Sequence, residues 1–91
     1  MKATLNHRRL GGEVITETYW PGQSFTWSGA ANYSHGCEDS ATFQLCESGQ
    51  WLVTAITDCG NCWQVGHDND HSCGYVVGQE VSTEDLPTDI L

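Results

Sequence analysis

ATFQLCESGQWLVTAIT, residues 41–57, is the stretch that decides the fold of this chain. Two runs rich in apolar, β-branched and aromatic residues flank Ser48 and Gly49. Two short strand-like runs that flank such a pair read as an antiparallel hairpin. A two-residue turn at Ser48-Gly49 sets Glu47 against Gln50, Cys46 against Trp51, Leu45 against Leu52, Phe43 against Thr54 and Ala41 against Ile56. One face then collects Ala41, Phe43, Leu45, Leu52, Thr54 and Ile56, which is the expected core side. The opposite face, with Thr42, Gln44, Cys46, Trp51, Val53 and Ala55, is also fairly apolar, and the segment 23–40 is expected to cover it.

Upstream, EVITETYW (13–20) is rich in β-branched and aromatic residues, and Pro21-Gly22 ends it. Val14, Thr16, Thr18 and Trp20 share one face of that strand, Ile15, Glu17 and Tyr19 the other. A short strand is expected at Phe25–Trp27, followed by a Gly, Ser and Asn loop whose length is unusual for a compact domain. Downstream, GYVVGQEV (74–81) reads as the last strand. Ser82 with Glu84 and Asp85 has the form of a helix start, but Pro87 limits it to one turn before a frayed tail, PTDIL. Residues 1–9, MKATLNHRR, read as a basic arm, flexible or pairing at an edge, set off by Gly11-Gly12.

The expected fold class is therefore mainly β: a small antiparallel sheet of three to five strands with long loops and little or no helix. The domain organisation is a basic flexible arm, 1–9, and a single small β domain, 10–91, with a Cys/His-rich loop at 58–73. At 91 residues the core is thin, so a metal or a disulfide would help to hold it.

That staple is expected in CGNCWQVGHDNDHSC, residues 59–73, where three thiols and two imidazoles fall close together. Cys59 and Cys62 have the CxxC separation at which one turn points two thiolates at the same ion. The segment resembles the zinc knuckle: Cys59, Cys62, Gly66 and His67 fall in that family's register, whereas five residues in place of four separate His67 from Cys73. The resemblance implies a bound, structural zinc with Cys59, Cys62, His67 and Cys73 as ligands. His71 and, from a distance, Cys37 are the alternates. CGNC is also similar to the CGPC active site of thioredoxins, which implies a thiol-disulfide protein, but Gly66 and the polar HDND run argue against the long helix that fold places after the motif. Buried structural thiols and a disulfide are the plainer readings. The cysteine count is five, and MKATLNHRRL lacks the apolar core of a secretory signal, so reduced thiols and a cytoplasmic location are expected.

Charge is the second strong signal. All three cationic residues, Lys2, Arg8 and Arg9, precede residue 10, all twelve acids follow it, and the net charge is -9. A surface of this kind opposes direct binding to nucleic acid, which depends on Lys and Arg displacing counterions. Its natural complement is a basic protein surface, and Glu38, Asp39, Asp68, Asp70, Glu80, Glu84 and Asp85 are the expected contact residues. In size and charge the chain resembles the small acidic DNA-mimic inhibitors that phages and mobile elements direct at restriction or CRISPR machinery. That resemblance implies docking on a nucleic-acid-handling protein. The alternative is a structural or regulatory zinc-binding module whose acidity only confers solubility. No phosphate-cradling loop, GxSxG or HExxH motif is present, so a binding protein without enzymatic activity is expected. No apolar run approaches the length of a membrane helix.

Overall fold

The computed structural model describes residues 1–9, 11–28, 39–57 and 73–90. The chain is mainly β, and its strands divide between two small sheets where the sequence suggested one. Sheet A has the order β2 (Val14–Tyr19), β1 (Ala3–Arg9), β7 (Asp89–Ile90). Sheet B has the order β3 (Ser24–Ser28), β4 (Ser40–Leu45), β5 (Trp51–Thr57), β6 (Glu80–Val81). Among the described residues the helical content is one 3-10 turn, Thr83–Asp85, the single turn expected from Pro87.

The β4–β5 hairpin forms, with a different turn and register. The Gly49 N–H donates to the Cys46 carbonyl at 3.0 Å and the Cys46 N–H to Gln50 at 2.9 Å, so the loop is Glu47-Ser48-Gly49. Gly49 sits at φ +90°, the left-handed position that closes a three-residue hairpin loop. One extra loop residue moves the pairing by one: Leu45 faces Trp51, Gln44 faces Leu52 and Phe43 faces Val53. Because the side-chain period is two, that shift turns Trp51 and Val53 inward and leaves Thr54 exposed. A bulge between Thr42 and Phe43 then restores the expected pairing of Ala41 with Ile56.

Residues 1–9 contain the middle strand of sheet A and are not an arm. β1 pairs antiparallel with β2, from Ala3 with Tyr19 to Arg8 with Val14, and parallel with β7. Its alternation is strict: Leu5 and His7 are buried while Thr4, Asn6 and Arg8 are exposed. On the outer face Thr16 donates to the Asn6 side-chain carbonyl at 2.8 Å and the Thr4 and Thr18 hydroxyls meet at 3.3 Å, cross-strand pairs that hold the register. The segment 74–81 is strand only at Glu80–Val81, because the Gln79 N–H turns back to the Val76 carbonyl with Gly78 at φ +93°. Asp89–Ile90 pairs with β1 and is not a frayed tail.

The core lies between the sheets. From sheet B it holds Phe25, Trp27, Ala41, Phe43, Leu45, Trp51, Val53 and Val81, and Leu5 enters from sheet A. Aromatic edges join the layers: Tyr19 meets Trp51 at 5.5 Å and Phe25 at 5.6 Å between ring centres. Each such pair adds about 0.5–1.5 kcal/mol beyond burial, which matters in a core this thin. The Trp51 indole N–H also donates to the Thr83 hydroxyl at 3.0 Å, tying the 3-10 turn to the core.

Candidate functional site

The two sheets meet closely at the Tyr19–Trp51 end, and at the other end a cleft of about 560 Å³ opens between them. Ligand pockets run from about 300 to 1,000 Å³, so the volume suits a side chain or a small molecule. From sheet A the walls are His7 and Arg9 of β1, Ile15, Glu17 and Tyr19 of β2, and Ile90 of β7. From sheet B they are Phe25, Thr26 and Ser28 of β3, with Asp39 and Ser40 at the start of β4 and Thr57 at the end of β5. The sheet A residues belong there by period two, since odd-numbered positions of β1 and β2 point toward the other sheet.

His7 anchors the floor. It is 1% exposed, an unusual burial for an imidazole, and both ring nitrogens have partners. Nδ1 lies 3.3 Å from the Thr88 carbonyl and Nε2 lies 2.8 Å from the Tyr19 hydroxyl. A carbonyl only accepts, so in the neutral ring Nδ1 carries the hydrogen and Nε2 accepts from Tyr19. Burial, followed by the Glu17 carboxylate, pushes the Tyr19 phenol above its usual range. The protonated hydroxyl donates to His7. Glu17 itself is exposed, although it shares the inward face of β2. Arg9, also on the wall, is held at 3.4 Å through Nε by Glu13, which is the one ion pair between two described residues.

The residues expected to act fall in three places. Cys37, Glu38, Cys59, Cys62, His67, Asp68, Asp70 and His71 lie outside the described residues. Cys73 is buried in the core cluster, and its thiol donates to the Tyr75 carbonyl at 3.7 Å. Among the described residues there is no group of three metal-binding side chains. Glu80, Glu84 and Asp85 are exposed within one short stretch at the β6 edge of sheet B. Asp85 also accepts from the Ser82 hydroxyl at 2.9 Å. Burial, then Cys73 and Asp85, raises the Tyr75 phenol. Asp39, expected on the docking surface, is fully buried against the cleft and cannot meet a flat partner surface.

His7, Glu17 and Tyr19 carry no motif, and sequence reading passed over them as site residues. The available signal was a carboxylate and an imidazole placed on the inward faces of their strands, at positions that otherwise take apolar residues. Fold and cleft together define a small two-sheet β domain with an aromatic-floored cleft that carries a few polar and charged side chains among apolar walls. No family model, no curated protein and no solved structure matches this chain. Among the described residues no helix is long and apolar enough to cross a membrane.

Proposed function

We propose that this protein is an acidic, non-enzymatic binding protein that docks on a basic surface of a nucleic-acid-handling protein and occupies its phosphate site, in the manner of a DNA mimic. The observation that carries this reading is the separation of charge. The three cations precede residue 10, and the strands of sheet B with the turn that follows them carry no Lys or Arg. Glu80, Glu84 and Asp85 are exposed there with no cation on their own sheet. Their repulsion is relieved by solvent or by a basic partner.

The test is a binding measurement on the nucleic-acid-binding protein that the chain captures from its host. The complex should compete with duplex DNA and weaken on the order of tenfold between low and physiological salt. A complex that is insensitive to salt, or that forms equally well on the DNA-loaded partner, removes the reading.

Zinc in the Cys/His loop is proposed as the staple of this domain, with Cys59, Cys62, His67 and Cys73 as its ligands and His71 or Cys37 as replacements. About one zinc per chain and unfolding on chelation are expected. Metal-free folded protein with a depressed thiol pKa at Cys59 or Cys62 would instead favour the thiol-disulfide reading.

A further inference from the structure

We propose that the cleft between the two sheets receives one arginine side chain of the basic partner, its guanidinium meeting the Glu17 carboxylate beside the Tyr19 ring. The inference rests on the docking reading above and adds where a single cation is gripped. Glu17 is the exposed carboxylate on the cleft wall, two residues from Tyr19 on the same face of β2. Phe25, 5.6 Å from Tyr19 between ring centres, continues the aromatic floor. An acid next to aromatic faces is the environment a guanidinium prefers, since it pairs with the carboxylate and stacks on the ring. Lysine offers a compact, strongly hydrated charge without the flat face.

The aliphatic stem has a matching wall in Ile15, two residues from Glu17 on the same face of β2, and the flanking backbone of the occupant reaches Ile90, which lies beside Arg9 on the far side of the cleft. The cleft's own cation does not compete for Glu17. In β1–β2 pairing Glu17 lies opposite Leu5, and Arg9 is four residues further along β1, roughly 13 Å at about 3.3 Å per residue. Arg9 is also drawn toward Glu13 by their ion pair. At about 560 Å³ the cleft holds an arginine together with neighbouring backbone, so a loop or peptide tip is the fitting occupant.

The experiment titrates the whole protein with a blocked Gly-Arg-Gly peptide and with the same peptide carrying citrulline, a neutral analogue of the same shape. Methyl NMR shifts of Ile15 and Ile90 report the cleft. The arginine peptide should shift both methyls and bind about tenfold more tightly than the citrulline peptide. Glu17→Gln should remove that preference. Glu47→Gln, which changes net charge equally but sits in the β4–β5 turn, should leave it unchanged. Equal binding of both peptides, equal loss in both variants, or no shift at Ile15 and Ile90 overturns the inference. In each of those cases the docking reading is still decided separately, by the salt dependence and DNA competition of the captured partner.

Discussion

Trp51→Phe tests how the domain is held together. Trp51 is fully buried, packs edge-on against Tyr19 and Phe25 at 5.5 and 5.4 Å, and donates its indole N–H to Thr83 at 3.0 Å. Phenylalanine keeps the six-membered ring and removes about three heavy atoms, which in a rigid core costs roughly 2 kcal/mol in lost burial and in the void left behind. The lost hydrogen bond adds about 1 kcal/mol. A total near 3 kcal/mol is a large part of the roughly 5–14 kcal/mol expected for a chain of this length. Urea unfolding followed by far-UV circular dichroism measures it, and the midpoint should fall with an unchanged slope. Thr83→Val alone should cost less, because that residue is exposed. The double variant should return a coupling of about 1 kcal/mol, the indole–hydroxyl bond itself. A Trp51→Phe cost below about 1 kcal/mol, or a coupling of zero, would refute the view that Trp51 joins the sheets and the 3-10 turn.

Gly49→Ala should destabilise by about 1–2 kcal/mol, since φ is +90° and the new Cβ would sit 3.1 Å from the Met1 sulfur; Gly49→Asn should lose less in the same urea unfolding. Tyr19→Phe leaves the buried His7 Nε2 without its donor and should lower stability by about 1–3 kcal/mol in urea, with part recovered in the double variant His7→Leu/Tyr19→Phe. The raised phenols of Tyr19 and Tyr75 make the folded state keep protons that the unfolded chain releases above pH 10.0, so their contribution is complete below that pH and is lost as pH rises through their folded values. Phenolate absorbance should rise later in folded than in denatured protein, and a Tyr19→Phe/Tyr75→Phe variant that keeps the full alkaline loss of stability would contradict the assignment.

Much of sheet B was legible because its strands obey simple alternation. Phe25 and Trp27, and Ala41, Phe43 and Leu45, are buried at every second position. What failed was the turn. Ser48-Gly49 satisfies the two-residue pattern, but Gly49 closes a three-residue loop, and that single residue decided whether Trp51 or Leu52 faced the core. β1 alternates just as strictly, yet its inward residues include His7 and its outward ones Asn6 and Arg8, types that composition associates with loops. β7 was beyond reach, because two residues pairing in parallel with a strand some eighty positions away leave no local pattern. The cleft was illegible for the same reason, since its walls come from β1, β2, β3, β4, β5 and β7 and exist only once both sheets are assembled. The acidic stretch at Glu80, Glu84 and Asp85 was visible from charge alone, whereas the burial of Asp39 was not.

The parallel pairing of β7 with β1 has a consequence for biosynthesis. On the ribosome the β1–β2 hairpin emerges before residues 88–90, with the β7-facing edge of β1 open and the His7 Nδ1 still lacking its Thr88 partner. Residues 88–90, some eighty positions beyond β1, must be translated before that edge closes, and until then the ribbon offers unpaired backbone to any neighbouring strand.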